Sequence, residues 1–458
     1  MKSSYKWLLP VVILTLATSC KEFISGINDD PNNPTESSID IVLNAAFTGL
    51  IIGHEGEDAR LACMWSGQFS GSDRQYSGYQ IYNTNSGNFN WHKYYIVAEN
   101  AGIVLREAEA TNNQLAAGIA RILQAHAYGM TASIWGDIPF SEANRFLEFS
   151  DPKFDPQKEV YAGVQQLLDK AIENLGGNPK NAAIAAKDFY FSGNAAQWRQ
   201  VAYTLKARFY MHTREYAQAL AAASKGVSKA ADDWMIPHPG GNYNLDMNIY
   251  YSFGKIDREG YMTAENAFLP SIMDAQSGQY RGNAKTNEAA RFQYLFTGTA
   301  PKYDLNYNGM WARNATFPLI TVLENRLNQA EAAWRTGDKS GALDYLNQAR
   351  AILAAQFPDG RYEAYLFSDF ETGGMAAVSG KTADEALLME IVEEKYCSLA
   401  GQMEVFNDLR RTANLLGVPP ATGNRIPARF LIPQTEIDAN QNTPNPIPDL
   451  YEPTAINK

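Results

Sequence analysis

The sequence contains only three cysteines in 458 residues, at positions 20, 63 and 397. Cys20 follows an apolar stretch at the N-terminus, which leaves Cys63 and Cys397 as the only internal pair. A chain of this length can bury a large core without disulfides, so the small disulfide-rich secreted scaffolds are excluded. Two buried thiols are the favoured interpretation, and a Cys63–Cys397 disulfide stays open as the alternative.

The sequence also lacks an excess of positive charge. Lys and Arg together number 39 against 50 Asp and Glu, which gives a formal net charge of −11 at pH 7. A negatively charged protein repels phosphate backbones, so we predict no nucleic-acid partner. Acidic polysaccharides are disfavoured for the same reason.

The motifs of common enzymes are missing. The sequence has neither HExxH nor GxSxG, and its five histidines include no pair at metal-ligand spacing. The stretch "GGMAAVSGKT" at 373–382 resembles a phosphate-binding loop but has Met375 where a glycine is needed, so we interpret it as a flexible loop. We predict that the protein is not an enzyme. A surface glycosidase stays open as an alternative, because the separation of its two carboxylates in space, not in sequence, decides that chemistry.

Long hydrophobic runs are absent as well, since none approaches the roughly 20 residues of a membrane span. The N-terminus carries Lys2 and Lys6, followed by about eleven mostly apolar residues at 7–17. That arrangement is typical of a signal peptide. We predict a lipoprotein signal peptide over residues 1–19.

Cys20 stands directly after this segment, where lipoprotein processing attaches a lipid to a cysteine and cleaves the chain before it. One difference from the usual pattern is Ala17, which occupies the position where such sites commonly have leucine. We predict Cys20 as the lipidation site, carrying acyl chains such as palmitate. The alternative is a soluble secreted protein in which Cys20 is incidental.

A polar segment follows, with the sequence "KEFISGINDDPNNPTESS" at 21–38. Such a composition cannot bury enough apolar area to fold, so we predict a flexible tether over 20–40. The 438 residues after Cys20 exceed what one compact core usually supports. They indicate either two or three domains or one extended architecture of repeated units.

The periodic signal beyond the tether is mainly helical. Apolar residues recur at spacings of three and four in one clear example, at Val160, Val164, Leu167, Ala171 and Leu175. This spacing places them on one face of a helix, which Gly176 and Gly177 then end.

Two stretches resemble each other and suggest tetratricopeptide-like helix pairs. The first, "LKARFYMHTREYAQALAAASKG", has a twelve-residue step between Ala207 and Ala219, with Tyr216 in the expected turn. The second, "LNQAEAAWRTGDKSGALDYLNQAR", has small residues at offsets of seven, five and seven: Ala330, Gly337, Ala342 and Ala349. Small residues at these positions let two helices approach closely.

The two stretches lie 123 residues apart instead of in tandem. Long insertions must therefore separate the helix pairs. We predict a mainly α fold in which tetratricopeptide-like helix pairs form a scaffold with long loop-rich insertions. Helices that are rich in alanine by chance are the alternative.

Two of the insertions are rich in aromatic residues set among Gly, Ser, Asn and Arg, at 65–95 and 280–311. Sugar rings present an apolar face and a rim of hydroxyls, so a carbohydrate site needs aromatic rings beside polar partners. The alternative is that these rings fix the loops to the scaffold. The residues that we predict to bind ligand are Arg74, Tyr76, Tyr79, Tyr82, Tyr280, Arg281, Tyr303, Tyr307 and Trp311.

The stretch "DLNYNG" matches the first half of a calcium-binding loop through Asp304, Asn306, Asn308 and Gly309. The position of the bidentate glutamate holds Ala315. A polar turn is the favoured interpretation, and a weak Ca²⁺ site at Asp304, Asn306 and Asn308 is the alternative. No other cofactor is predicted.

Four landmarks occur in the order expected for one family. They are "YGMTASIWGDIPFSEA" at 128–143, "LENRLNQAEAAWRTGDKSGALDYLNQAR" at 323–350, "IVEEKYCSLAGQMEVFNDLRRT" at 391–412 and "RFLIPQTEIDANQNTPNP" at 429–446. Together they resemble the SusD/RagB family, and the short "WGDIPFSEA" region is similar to its starch-binding-associated subfamily. In the first landmark Gly136 lets the backbone leave a helix, Asp137 accepts amide hydrogen bonds and Pro139 blocks continuation.

The resemblance implies a single α-rich SusD-like domain over 41–458. It further implies a surface-exposed, lipid-anchored lipoprotein of the cell outer membrane that binds glycans and delivers them to a SusC-like TonB-dependent transporter. Some members of the family bind peptides, so a peptide ligand is the alternative. No family motif allows the ligand-binding residues to be transferred one by one.

Overall fold

The computed structural model describes residues 38–243 and 246–458. The predicted signal peptide, Cys20 and nearly all of the predicted tether lie outside the described residues. The first helix begins at Ile39, so the last two residues of the predicted tether are helical instead. The reason is local packing, since Ile39 and Val42 lie against the main hydrophobic core.

The regular structure of the described residues is mainly helical, as predicted. In chain order the helices are α1 Ile39–Glu55, α2 Glu57–Trp65, α3 Arg74–Gln80, α4 His92–Ala110, α5 Gln114–Trp135, α6 Gln157–Asn174, α7 Ala182–Lys187, α8 Ala195–His212, α9 Tyr216–Ala223, α10 Ile249–Tyr251, α11 Phe268–Met273, α12 Ala289–Leu295, α13 Val322–Arg335, α14 Lys339–Gln356, α15 Ala383–Ser398, α16 Glu404–Arg411 and α17 Gln434–Ala439. Helix α10 continues directly into a π-helix at Ser252–Asp257.

The long helices pack as one continuous stack. Helix α1 packs on α4, α4 on α5, α5 on α6, α6 on α8, α8 on α9, α9 on α13, and α13 on both α14 and α15. Each helix thus covers the apolar face of its neighbour. The residues between these helices form the insertions that extend from the stack.

Both predicted helix pairs are present, as α8 with α9 and α13 with α14. Tyr216 begins α9 instead of lying in the turn, which is formed by the residues just before it. Gly337 connects α13 to α14 with a φ of +95°. A side chain would meet nothing within 4 Å there, so backbone conformation, not space, favours glycine.

The alanines of the two pairs line their contacts. Ala330, Ala342 and Ala349 are fully buried in one cluster between α13, α14 and α15. Ala219 instead packs with Met211 and Ala332, so it contacts the other helix pair. The two pairs that are distant in sequence are therefore direct neighbours in the stack.

The "WGDIPFSEA" turn ends α5 in the predicted manner. Gly136 follows the helix with a φ of +88°. The Oδ1 atom of Asp137 accepts a hydrogen bond from the backbone N–H of Gln157, 2.8 Å away, at the start of α6. Pro139 then lies in a short strand. The turn therefore fixes the start of α6 relative to the end of α5.

The strands are short and belong to the insertions. In the described residues they form five antiparallel two-stranded ladders: β1 Ser70–Gly71 with β5 Met262–Thr263, β2 Ile138–Pro139 with β3 Phe154–Asp155, β4 Trp234–Ile236 with β9 Phe317–Ile320, β6 Thr286–Asn287 with β10 Arg361–Tyr362, and β7 Phe296–Thr299 with β8 Lys302–Leu305. The β1–β5 ladder joins the first aromatic insertion to the segment that precedes the second one.

Cys63 and Cys397 are both buried free thiols, in agreement with the favoured interpretation. Burial raises the pKa of each thiol, which keeps both protonated. Among the described residues, no helix combines the length and the apolar character needed to cross a membrane.

Candidate ligand-binding site

The two predicted aromatic insertions meet beside the π-helix. The ring of Tyr76, from the first insertion, lies 4.9 Å from the ring of Phe253 inside the π-helix. Tyr307, from the second insertion, covers Gly254: a Cβ atom there would lie 1.9 Å from the tyrosine hydroxyl. π-helical turns are rare and are often found at functional sites, so this junction is the first place to search for a ligand site.

Three tyrosine rings are half-buried around this junction and reach the protein surface. They are Tyr251, Tyr261 and Tyr307, and exposed cationic side chains accompany them: Arg74, Lys255 and Arg258. We refer to these six residues as the tyrosine surface. The rings of Tyr251 and Tyr307 lie 6.2 Å apart in an edge-to-face arrangement.

The cations lie close to the rings. The guanidinium carbons of Arg74 and Arg258 lie 5.8 and 5.7 Å from the ring centre of Tyr261. The Nζ atom of Lys255 lies 4.8 Å from the ring centre of Tyr307. These separations are typical of cation–π contacts, and they place hydrogen-bond donors over the rings of Tyr261 and Tyr307.

Backbone hydrogen bonds hold the tyrosine surface together. The carbonyl oxygen of Tyr261 accepts from the backbone N–H of Ser72, at 2.8 Å, next to the β1–β5 ladder. Asp73 caps α3 through its side chain, and Arg74 follows with a φ of +47°. A residue other than glycine in this left-handed region is uncommon, and the side chain of Arg74 is exposed.

The acidic groups near the tyrosine surface differ in their environments. Glu259 forms a 2.8 Å ion pair with Lys255, and this hydrogen bond lowers the pKa of its carboxyl group. Asp304 is partly buried behind Lys255, and burial raises the pKa of its carboxyl group. The arrangement therefore offers flat apolar rings, several donors and few free acceptors, which suits neutral molecules with many hydroxyl groups.

The tyrosines predicted in the first insertion are buried, which corrects the prediction that they form an exposed ligand face. Tyr76, Tyr79 and Tyr82 are 1%, 8% and 7% exposed. Each hydroxyl already has a protein donor: the Nε of Arg60, the Nδ2 of Asn88 and the backbone N–H of Ala421, respectively. The reason is that the insertion folds into helix α3, whose inner face supplies Tyr76 and Tyr79 to the core, while Tyr82 lies in the turn that follows the helix.

The aromatic residues predicted in the second insertion are also mainly internal. Trp311 is fully buried and donates its indole N–H to the carbonyl of Leu295 at 2.8 Å. Tyr303 is 3% exposed and donates to Asp274 at 2.9 Å. Tyr280 is half-buried, and its hydroxyl accepts from the backbone N–H of Glu288. Of the predicted residues, Arg74 and Tyr307 are the two that belong to the tyrosine surface.

The position of Arg281 also differs from the prediction. Its side chain is 2% exposed and donates hydrogen bonds to four carboxylates, those of Glu288, Glu390, Glu393 and Glu394. Three of the four acids come from α15, the Glu-rich helix. A guanidinium that is saturated in this way has no donor left for a sugar, so Arg281 joins the insertion to the scaffold.

The predicted calcium segment forms a strand end and a turn. Asp304 lies in β8 and accepts from the backbone N–H of Leu305 through Oδ1. Asn306 donates to the carbonyl of Gln293 and accepts from the backbone N–H of Asn308. These contacts are those of a polar turn, which was the favoured interpretation. In the described chain no group of three or more His, Cys, Asp and Glu side chains is arranged to hold a metal.

Four residues of the tyrosine surface are not among those predicted from the sequence: Tyr251, Lys255, Arg258 and Tyr261. They lie in "YYSFGKIDREGY" at 250–261, between the two insertions that were considered. The signal that could have found them is the mixture of aromatic and charged residues in this short stretch. It was overlooked because the region is shorter than either insertion.

A stack of tetratricopeptide-like helix pairs, with an aromatic and cationic surface on its insertions, defines an α-helical scaffold protein with a surface for a polar ligand. The chain belongs to the SusD-like family within the SusD/RagB group: residues 31–433 match the family model described as starch-binding associating with outer membrane. The family is thus associated with the outer membrane.

Solved structures agree with this assignment of the fold. A SusD/RagB family protein from Bacteroides thetaiotaomicron is 20% identical, with a TM-score of 0.69 over 92% of this chain and 99% of that one. A SusD homologue from Parabacteroides distasonis is 15% identical, with a TM-score of 0.69 over 92% and 97%. A chitin-binding SusD homologue from Flavobacterium johnsoniae is 16% identical, with a TM-score of 0.66 over 92% and 98%. Comparison with curated proteins finds no match.

Proposed function

We propose that this protein is a surface-exposed outer-membrane lipoprotein that binds oligosaccharides at the tyrosine surface and delivers them to a SusC-like TonB-dependent transporter. The proposed anchor is an acylated Cys20. The observation that carries the ligand part of the proposal is the placement of Tyr251, Tyr261 and Tyr307 beside three exposed cations. Family membership supports the glycan ligand and the transporter partner.

Stacking on half-buried tyrosines suits a glycan because the rings are already held in place. Tyr261 is fixed through its backbone by the β1–β5 region, and Tyr307 is fixed by its contact with Gly254. Binding then costs little side-chain entropy. The guanidinium groups of Arg74 and Arg258 donate hydrogen bonds but cannot accept them, so they favour the hydroxyl and carbonyl oxygens of a neutral sugar.

Calorimetry with defined oligosaccharides tests the proposal. The probes are malto-oligosaccharides, because the family description names starch, and chito-oligosaccharides, because one structural relative is described as chitin-binding. Tyr261→Ala and Tyr307→Ala should each weaken binding about tenfold, since one stacking contact contributes on the order of 1 kcal/mol or more. A half-buried scaffold tyrosine, Tyr203, provides the matched control: it also has a lysine, Lys225, 5.5 Å from its ring centre.

The alternatives give different results in the same experiment. A peptide-binding protein would bind a peptide library through the tyrosine surface and ignore both oligosaccharide series. A surface glycosidase would release shorter oligosaccharides during the titration, which a reducing-end assay detects. Binding without hydrolysis, lost in Tyr261→Ala and retained in Tyr203→Ala, supports the proposal. Equal oligosaccharide affinities in Tyr261→Ala, Tyr307→Ala and Tyr203→Ala would contradict the proposal.

A further inference from the structure

A cavity of about 580 Å³ lies in the scaffold, between the β4–β9 ladder, the start of α13 and the ends of α14 and α15. None of its lining residues belongs to the tyrosine surface. Its wall is mainly apolar and includes Met235, Leu295, Met310, Pro318, Leu323 and Ile352. The volume lies within the range of small-molecule sites in proteins.

The cavity opens beside an aromatic pair. The rings of Tyr294 and Phe357 lie 5.7 Å apart, and both residues line the cavity. A neighbouring cavity of about 550 Å³ shares these two residues and Gln356. Because Tyr294 is 37% exposed, a ligand can reach the apolar interior from this side without opening the helix stack.

One carboxylate lines the cavity without a cation. The Oδ1 atom of Asp233 accepts from the backbone N–H of Val322 at 2.7 Å, and the described residues offer its second oxygen neither a hydrogen bond nor an ion pair. Burial, together with the nearby charges of Asp232 and Glu324, raises the pKa of this carboxyl group to about 7. This carboxyl group therefore lies in apolar surroundings where a bound cation would favour its charged form.

The cations near the cavity are already paired. Arg291 lines the cavity, but its Nη2 and Nη1 atoms lie 2.7 Å from Glu288 and from Glu394. The Nζ atom of Lys229, at the rim, lies 3.7 Å from Asp232. Neither side chain forms an ion pair with Asp233 in the structure.

We propose that this cavity binds a small hydrophobic amine, whose ammonium group pairs with Asp233 and whose apolar body lies among the methionine, leucine and proline side chains of the wall. An ammonium ion satisfies the unpaired oxygen with a charge-assisted hydrogen bond. Contact between the hydrocarbon body of the amine and the apolar wall removes apolar surface from water, which stabilises the complex. This site is separate from the glycan site and does not depend on the proposed glycan function.

Calorimetry with 2-phenylethylamine tests the proposal, using protein purified with Cys20→Ala. 2-Phenylethanol serves as the uncharged counterpart of the same shape. The amine should bind at least about tenfold more tightly than the alcohol, because a hydrogen bond to a charged group is stronger than a neutral one. Asp233→Asn keeps the acceptor for Val322 but removes the charge, so it should reduce this preference to near unity.

Asp344→Asn is the matched control, since it removes one negative charge from an exposed carboxylate of α14 that accepts from Gln348 and does not line the cavity. It should leave the preference for the amine unchanged. An equal loss of the preference for the amine in both variants would overturn the proposal. Equal affinities of the unaltered protein for 2-phenylethylamine and 2-phenylethanol would also overturn it.

A second measurement does not depend on how the variants fold. The methyl resonances of Met235 and Met310, which line the cavity, should shift on addition of 2-phenylethylamine, while that of Met64, outside the cavity, should stay unchanged. Unshifted Met235 and Met310 resonances at saturating amine would also overturn the proposal.

Discussion

The guanidinium group of Arg208 binds both carboxylate oxygens of Glu324, with Nε 2.7 Å from Oε1 and Nη2 2.6 Å from Oε2. Both side chains are 1% exposed. Arg208 belongs to α8 and Glu324 to α13, so the pair joins the two tetratricopeptide-like units that are distant in the sequence. Because the desolvation of two buried charges offsets much of their attraction, such a pair adds little net stability by itself.

Removal of one partner should be costly. Arg208→Met leaves Glu324 buried without its cation, and we expect a loss of about 3 to 5 kcal/mol in the free energy of unfolding. Urea denaturation measures this loss. Arg199→Met, at a half-buried arginine on the same helix, is the control and should change stability by less than about 1 kcal/mol. Similar losses in the two variants would show that the ion pair has no special role.

The contact between α13 and α14 should tolerate no larger side chain. Ala342 is fully buried between them, so Ala342→Leu should overpack the contact and cost roughly 1 to 3 kcal/mol. Ala351→Leu introduces the same side chain at an exposed position of α14 and should be nearly neutral. Thermal melting of both variants is the measurement, and an unchanged melting temperature for Ala342→Leu would contradict the close packing.

Two buried histidines should make the fold sensitive to acid. The Nε2 atoms of His54 and His126 lie 2.9 Å apart in a hydrogen bond. Burial lowers the pKa of His54 to about 3 and lowers that of His126 well below its ordinary value of 6.5. The unfolded chain therefore binds protons between pH 6.5 and 3 that the folded chain does not, so the free energy of unfolding should fall as the pH falls through this window.

Two buried carboxyl groups affect the pH dependence of the free energy of unfolding in the opposite direction. Burial raises the pKa of Asp233 and of Glu390 to about 7, so the folded state binds their protons first. A comparison of urea midpoints at pH 7 and pH 5 between the unaltered protein and a His54→Gln/His126→Gln variant isolates the histidines. The variant should lose less stability on acidification, and parallel pH dependences would argue against the prediction.

Substitutions of Trp311 and Tyr307 distinguish a core residue from a ligand-binding residue. Its indole is fully buried, so Trp311→Ala should cost about 3 to 5 kcal/mol of stability. Tyr307→Ala, at the tyrosine surface, should instead weaken oligosaccharide binding and lower the melting temperature less than Trp311→Ala does. Measurement of affinity and melting on the same two variants is decisive. A stable Trp311→Ala protein with weakened binding would return Trp311 to the ligand site.

The anchor at Cys20 can be tested in cells. Stable membrane attachment by acylation requires more than one lipid chain, so Cys20→Ala should release the protein from the outer membrane completely. Fractionation in a strain that lacks the transporter partner measures this without interference from the complex. Persistent sedimentation of the variant with outer membranes would contradict the lipoprotein prediction.

The helix pairs could be predicted because their signal is local: small residues at fixed spacing define a helix contact within one stretch of chain. Which other helix pair each one packs against could not be predicted from the sequence. Ala219 contacts Ala332, and neither stretch of sequence contains a signal that predicts this contact. The Arg208–Glu324 ion pair joins the same two units, and such long-range contacts are invisible in a single sequence.

The site was predicted less well for a related reason. Aromatic residues in insertions were expected at the surface, but the burial of Tyr76 and Trp311 depends on tertiary partners such as Phe253 and Tyr250. Arg281 binds acids on α15 that are more than a hundred residues away. Composition pointed to these insertions, whereas the choice between the inner and the outer face for each ring required the fold.

The two protected thiols make the protein well suited to site-specific labelling. Cys63 and Cys397 are buried and their raised pKa values disfavour the reactive thiolate. In a Cys20→Ala protein, a maleimide dye will therefore react with a single cysteine that is introduced at a chosen exposed position. Ser77→Cys, at an exposed position of α3 beside the aromatic insertion, would report by fluorescence when a molecule arrives there.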